Sequence, residues 1–94
     1  MAQGWTREYF DIQVQNVRMQ IGLAYAQWSN DTKFLVQEDQ HFYIEEEFQN
    51  LYQWLTTNNY HPFWGQFNVN WCLQRLDTLM QIINVLKNDR RGAL

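Results

Sequence analysis

Apolar residues between Thr6 and Trp28 recur at alternating spacings of four and three, which is typical of one face of an α-helix. The residues of this stripe are Phe10, Val14, Val17, Ile21, Ala24 and Trp28. A second apolar stripe lies on nearly the opposite side of the same helix, and its residues are Ile12, Met19, Leu23 and Ala26. A small monomer can bury only one of these faces unless the helix runs through the centre of the fold. The second stripe therefore predicts self-association, most simply as a homodimer.

The same segment also fits a β-hairpin formed by residues 9–25, because apolar and polar residues alternate on both sides of Gln15-Asn16. That turn lacks the glycine that tight hairpin turns favour. The segment is also rich in Ala, Gln, Met, Leu and Arg, which favour helices. We therefore favour the helix and keep the hairpin as the alternative.

The second segment opens with Phe34-Leu35-Val36, a run too short to be assigned by its period. A helix is predicted from about Gln40 to Thr57, with Asp39 as its N-cap and three glutamates early in the helix, where its dipole favours negative charge. Its apolar face contains Ile44, Phe48, Leu51, Tyr52 and Leu55. An alternative pairs residues 34–37 with residues 41–44 as a hairpin and delays the helix to about Glu45.

A third helix is predicted from Asn68 to Asn88, with Asn68 as its cap and with Lys87, Arg90 and Arg91 at its negative end. Gly92 stands where this helix is expected to end. Its broad apolar face contains Val69, Leu73, Leu76, Leu79, Met80, Ile83 and Leu86. The predicted fold is mainly α, a bundle of about three helices in one domain spanning residues 1–94. The alternative is an α+β fold with the N-terminal hairpin packed on two helices.

Residues 60–67 contain four aromatic side chains and are predicted to connect the second and third helices. Pro62 is expected to stiffen this connection, and Gly65 to permit a tight turn. The rings either close the end of the core or leave Trp64 and a neighbour exposed as an anchor for a partner. Trp71 and Arg75, four residues apart, are expected to stack as a ring and a cation.

The polar residues of the chain are mostly neutral: 21 Asn and Gln residues outnumber 17 charged residues. Neutral amides are easier to desolvate than charges, which suits a surface that a partner covers. The net charge of −3 and the scattered basic residues argue against nucleic-acid binding. A lineage bias in codon usage explains the amide content equally well.

Candidate sites for chemistry are few. Cys72 is the only cysteine, so neither an internal disulfide nor a zinc site built on paired cysteines is expected. On the apolar face of the third helix its thiol is expected to be buried and inert. His41 and Glu45, with Glu38 nearby, are too few to make a metal site. The sequence predicts no cofactor and no catalytic residue, and it contains neither a secretory signal nor a membrane-spanning run, so we expect a cytoplasmic protein.

These features predict a small acidic, non-enzymatic protein that binds a larger protein, as an adaptor, assembly factor or inhibitor. The expected partner-binding residues are aromatic: Tyr60, Phe63, Trp64, Trp71 and Trp54. Self-association is expected through Ile12, Met19, Leu23 and Ala26. The alternative is a small-ligand carrier with an aromatic-lined pocket. A third hypothesis, an acidic mimic of nucleic acid, has only a modest net charge to support it.

Overall fold

The described part of the chain forms three α-helices, as the apolar pattern predicts. The computed structural model describes residues 4–32, 36, 38–57 and 60–93. Helix α1 spans Arg7–Gln27 and continues into a π-helical turn at Trp28–Thr32. Helix α2 spans Glu38–Thr57, and helix α3 spans Pro62–Ala93.

Helix α1 is helical across the whole region for which a hairpin was the alternative, so that alternative is wrong. Thr6 caps its start, because the Thr6 hydroxyl accepts a hydrogen bond from the Tyr9 N–H at 3.1 Å. The first stripe faces the core, with Phe10, Val17 and Ile21 buried. Local hydrogen bonds satisfy the backbone of a helix, whereas a hairpin here would need a turn that Gln15-Asn16 is poorly suited to make.

Helix α2 begins at Glu38, slightly before the predicted start, so Asp39 lies inside its first turn rather than at its N-cap. Ile44, Phe48, Leu51 and Leu55 are buried, as predicted. Tyr52 is instead exposed. Residues 41–44 belong to the helix, which rules out the alternative hairpin; its other strand includes residues 34, 35 and 37, which lie outside the described part of the chain.

Helix α3 begins at Pro62, so the predicted start at Asn68 is wrong. The His61 carbonyl accepts the Gly65 N–H at 2.6 Å, and the His61 ring Nδ1 accepts the Trp64 N–H at 3.2 Å. Proline suits the first helical position, because its missing N–H would have no partner within the helix. Asn68 is buried within the helix, and α3 continues past Gly92. The side chains of Arg90 and Arg91, expected at the helix end, lie outside the described part.

The helices run up, down and up around one shared core. The starts of α1 and α3 lie together, since the Trp5 N–H donates to the Pro62 carbonyl at 3.2 Å. Helix α2 runs the opposite way, because Tyr25 near the end of α1 contacts Glu45 near the start of α2, at 3.3 Å. The resulting bundle is elongated, measuring 56 × 20 × 17 Å.

The core contains residues from all three helices. Its buried apolar side chains are Phe10, Val17, Ile21, Trp28, Val36, Ile44, Phe48, Leu51, Leu55, Val69, Cys72, Leu76, Leu79 and Ile83. Leu73, Met80 and Leu86, from the predicted face of α3, pack partly buried against it. Among the described helices, none combines the length and apolar character needed to cross a lipid bilayer.

Gly65 is needed for the close approach of two helices, not for the tight turn that the sequence predicted. It is buried in the second turn of α3, and no described residue has a positive φ. A Cβ at this position would lie 2.8 Å from the Phe10 ring, well inside ordinary van der Waals contact. The missing side chain lets α1 and α3 approach at this end of the bundle.

Candidate functional site

Among the described residues, the largest concentration of accessible rings lies along the first half of α3, with one ring added from α2. We call Trp54, Trp64, Phe67 and Trp71 the aromatic face. The exposed fractions are 62% for Trp64, 56% for Phe67 and 39% for each of the other two. Trp64 and Phe67 stack with ring centroids 5.4 Å apart, and Trp54 lies 5.1 Å from Trp71 across the seam between the helices.

The position of Pro62 explains this arrangement. Because α3 starts there, Trp64, Phe67 and Trp71 occupy successive turns of one helix, at i, i+3 and i+7. The opposite side of the same turns buries Val69 and Cys72 in the core. These rings therefore lie on a rigid helical surface instead of the irregular connection that the sequence predicted.

The aromatic face lies within a stretch of the chain that carries no Asp, Glu, Lys or Arg. This stretch comprises residues 48–74 and is bounded by Glu47 and Arg75. Since α2 and α3 are antiparallel, the two bounding charges meet, with the Arg75 guanidinium 3.2 Å from the Glu47 carboxylate. The absence of charged residues between Glu47 and Arg75 can be read from the sequence and would have located the aromatic face. Because α2 and α3 pack side by side, the fold brings the uncharged parts of these two helices together.

Trp71 and Arg75 do not form the contact expected from their spacing. The Trp71 ring lies against Trp54, and Arg75 pairs with Glu47. Each side chain finds its partner on α2 because both project toward that helix. A cation–ring contact is found instead between Arg7 and Tyr60, where the guanidinium carbon lies 5.7 Å from the ring centroid.

Tyr60 is apart from the other predicted partner-binding residues. Its hydroxyl donates to the Trp5 carbonyl at 2.8 Å, and its ring packs edge-on against Phe10 at 5.5 Å. Tyr60 therefore fastens the N-terminal segment to the start of α3. Phe63 is 58% exposed and lies one turn before Phe67, so it extends the edge of the aromatic face.

The second apolar stripe of α1 is also exposed. Ile12, Met19, Leu23 and Ala26 all lie at the surface. We call this surface the outer face of α1. Since α1 packs against both α2 and α3, its outer face points away from them, on the opposite side of the bundle from the aromatic face.

The sequence named Cys72 as the candidate for nucleophilic chemistry, and His41 with Glu45 and Glu38 as the candidates for metal binding. Cys72 is fully buried, and burial raises its pKa to about 11, so the thiol is neutral at pH 7. Glu38, His41 and Glu45 line an open cavity of about 570 Å³. No three potential metal ligands among the described residues are arranged to hold an ion. The His41 ring Nε2 lies 3.3 Å from the Val36 carbonyl.

An aromatic-lined ligand pocket is not what this cavity provides. Phe42 is the one aromatic residue lining it, and the other five lining residues are Glu38, His41, Glu45, Glu46 and Gln49. Most of the tryptophan rings are instead directed at the surface of the bundle. Comparisons of the chain with known protein families, with curated proteins and with solved structures find no match.

Proposed function

We propose that this protein is a non-enzymatic interaction module that binds a larger protein through the aromatic face and self-associates through the outer face of α1. The observation that supports this most is the coincidence of exposed rings with an uncharged surface on two helices. Tryptophan is enriched among the residues that dominate binding energies, because large rigid rings bury much area and lose little entropy.

The size of the aromatic face supports a binding role. The exposed parts of its four rings amount to about 300–500 Å², since a buried aromatic side chain contributes roughly 150–250 Å². An apolar patch of this size on a monomer is often functional, whereas single exposed apolar residues are ordinary. The contacts of Trp64 with Phe67, which is stacked, and of Trp54 with Trp71, which is tilted, also hold the rings in place before a partner arrives, which lowers the entropy lost on binding.

The shape of the face indicates an amphipathic helix as the partner's contacting element. The face extends along the seam between two antiparallel helices, where a further helix would complete a four-helix arrangement. Trp64 and Trp71 are two helical turns apart, about 10 Å, which matches apolar residues at i and i+7 of a partner helix. The contacting side of that helix is expected to be apolar and uncharged, since any charge there would lose its hydration and find no opposite charge.

The experiment is a capture of partners from an extract of the cells that make the protein. Phe67→Ala removes a ring from the aromatic face, and Phe42→Ala removes an exposed ring from α2 outside it. We expect Phe67→Ala and Trp64→Ala to lose the captured protein, and Phe42→Ala to retain it. Loss of a ring at a binding hot spot typically costs about 2 kcal/mol or more, which is roughly thirtyfold in Kd.

The dependence on salt provides an independent readout. Because residues 48–74 carry no charge, the Kd for the captured protein should change little between about 0.05 M and 0.5 M NaCl. If the Phe67→Ala variant still captures the partner, or if high salt releases the partner from the wild type, the aromatic face is not the binding surface. If high salt releases the partner and variants that lack acidic residues also fail to bind it, the results would instead favour an acidic mimic of nucleic acid.

A further inference from the structure

The outer face of α1 is an apolar line on an almost uncharged helical surface. Ile12, Met19 and Leu23 are 56%, 61% and 65% exposed. From Ile12 to Asn30 the sequence contains one charged residue, Arg18. Arg18 lies about 120° around the helix from Ile12, on the side of α2, where its carbonyl accepts the Tyr52 hydroxyl. A surface with so little charge can meet a copy of itself without repulsion.

We propose that two copies of this chain pair through the outer face of α1 in an antiparallel arrangement, about a two-fold axis between Val17 and Arg18. This inference rests on the proposed self-association and gives it a geometry. In this register, the numbers of two opposing residues add up to 35. Ile12 then lies opposite the partner's Leu23 on either side of the axis, and Met19, next to the axis, lies opposite the partner's Asn16.

The flanking positions complement one another in size and in charge. Tyr9, a large residue that is 46% exposed, faces the partner's Ala26, a small exposed one. Glu8 faces the partner's Gln27, so no like charges meet at the ends of the contact. Antiparallel pairing also sets the two helix dipoles in opposite directions, which is the favourable alignment.

Neighbouring registers fit less well. A shift of one turn in one direction places Glu8 against the partner's Leu23, which buries a carboxylate on an apolar side chain. A shift of one turn in the other direction places Ile12 against the partner's Gln27 and separates it from Leu23. The proposed register is the one in which the apolar lines of the two copies, from Ile12 to Leu23, overlap over their full length.

The area of this contact is at the lower end for a stable dimer. The exposed parts of Tyr9, Ile12, Met19 and Leu23 amount to about 400 Å² per copy, given the usual surface of large apolar side chains. With the polar flanks, the total buried area comes to roughly 1,000 Å², near the minimum for a specific interface. We therefore expect a dimer with a Kd in the micromolar range.

Such a dimer is bivalent. The aromatic face and the outer face of α1 are on opposite sides of each bundle, so pairing through α1 leaves both aromatic faces free and directed outward. A target that carries two copies of the recognised helix would bind both aromatic faces of one dimer. The second binding event would be intramolecular, at a high effective concentration, and would therefore raise the overall avidity.

Sedimentation equilibrium of the isolated protein at about 1–200 µM tests the dimer without any partner. Leu23→Glu places two carboxylates in the contact, each against an apolar side chain, and should raise the dimer Kd at least tenfold. Val85→Glu, at a similarly exposed position on α3, is the matched control and should leave the Kd unchanged. A wild type that stays monomeric, or a Leu23→Glu variant that dimerises normally, would overturn the proposal.

The register is tested by a spin label on Gln27→Cys, measured as a distance between the two copies. Cys72 is buried with its pKa raised to about 11, so at neutral pH the exposed cysteine is labelled selectively. The proposed register separates the two positions by about 30 Å, whereas a parallel pair would bring them to about 10 Å. A short distance would overturn the antiparallel arrangement.

The two proposals fail in different ways. If α1 pairing is wrong, the protein sediments as a monomer but still binds its partner through the aromatic face. If the aromatic-face proposal is wrong, Phe67→Ala and Trp64→Ala bind as the wild type does while the dimer and its sensitivity to Leu23→Glu remain.

Discussion

Gly65 offers the sharpest test of how the helices pack. Replacing it with alanine puts a Cβ 2.8 Å from two ring atoms of Phe10, where ordinary contacts are 3.4–4 Å. The ring would have to move by roughly 0.6 Å. Phe10 is buried and rests against Tyr60, whose hydroxyl is bonded to Trp5, so it has little room to move.

Two opposing effects set the size of the change in stability. Forcing an extra methyl group into a packed core costs about 1–3 kcal/mol. Alanine in place of glycine within a helix returns about 1 kcal/mol. We therefore expect Gly65→Ala to lower the free energy of unfolding by about 1 kcal/mol. For a domain of this size, that corresponds to a fall in Tm of about 4–8 °C.

The assay is urea denaturation followed by circular dichroism, with all variants at one protein concentration because self-association adds to stability. Gly22→Ala is the matched control, since its Cβ would meet only the Tyr52 hydroxyl, at 3.1 Å, at the end of an exposed side chain. This substitution should be neutral or stabilising by up to about 1 kcal/mol. The two glycine variants should therefore change stability in opposite directions.

A double-mutant cycle links the effect to the Phe10 ring. In a Phe10→Leu background the ring is absent, and Gly65→Ala should be less costly by at least about 0.5 kcal/mol. If Gly65→Ala stabilises the protein as much as Gly22→Ala does, or if its cost is the same in both backgrounds, the close approach of α1 and α3 at Gly65 is refuted.

Two further predictions concern the cap of α3 and the buried thiol. His61→Ala should destabilise the protein by about 1 kcal/mol in urea denaturation, because the Trp64 N–H loses its acceptor. His61→Asp restores an acceptor and should recover most of that loss; equal losses in both variants would argue against a capping role. Burial raises the pKa of Cys72 to about 11, so above about pH 9 the unfolded chain releases this proton more readily than the folded protein, and stability should fall as pH rises toward 11. Cys72→Ala should show a shallower decline across that range, and identical slopes would contradict burial of the thiol.

The apolar pattern predicted most of the fold because it is a local property. In α1 and α2 the periodic residues predicted which side is buried, and Phe10, Val17 and Ile21 lie in the core as expected. The same pattern identified the second stripe of α1, and Ile12, Met19 and Leu23 are exposed at the surface. A stripe that is apolar beyond the needs of one core is readable from the sequence alone.

The start of α3 could not be read in the same way. Pro62 and Gly65 usually indicate a break in helical structure, and they led to a predicted connection over residues 60–67. In the structure Pro62 occupies the first turn, where proline is tolerated, and Gly65 makes room for Phe10. Both assignments depend on the tertiary contact between α1 and α3, which a local pattern does not contain.

The sequence by itself determined that the chain forms helices, which of their faces are buried, and that no charge occurs between Glu47 and Arg75. The tertiary structure decided where these features meet. Folding α2 back on α3 brings Trp54 beside Trp71 and closes the uncharged stretch with an ion pair. It also places Tyr60 against Phe10, away from the aromatic face, and puts the aromatic face and the outer face of α1 on opposite sides of the bundle. The helical periodicity of the apolar residues depends on interactions within a few residues of the chain. The composition of a surface depends instead on which distant segments pack against one another in the core.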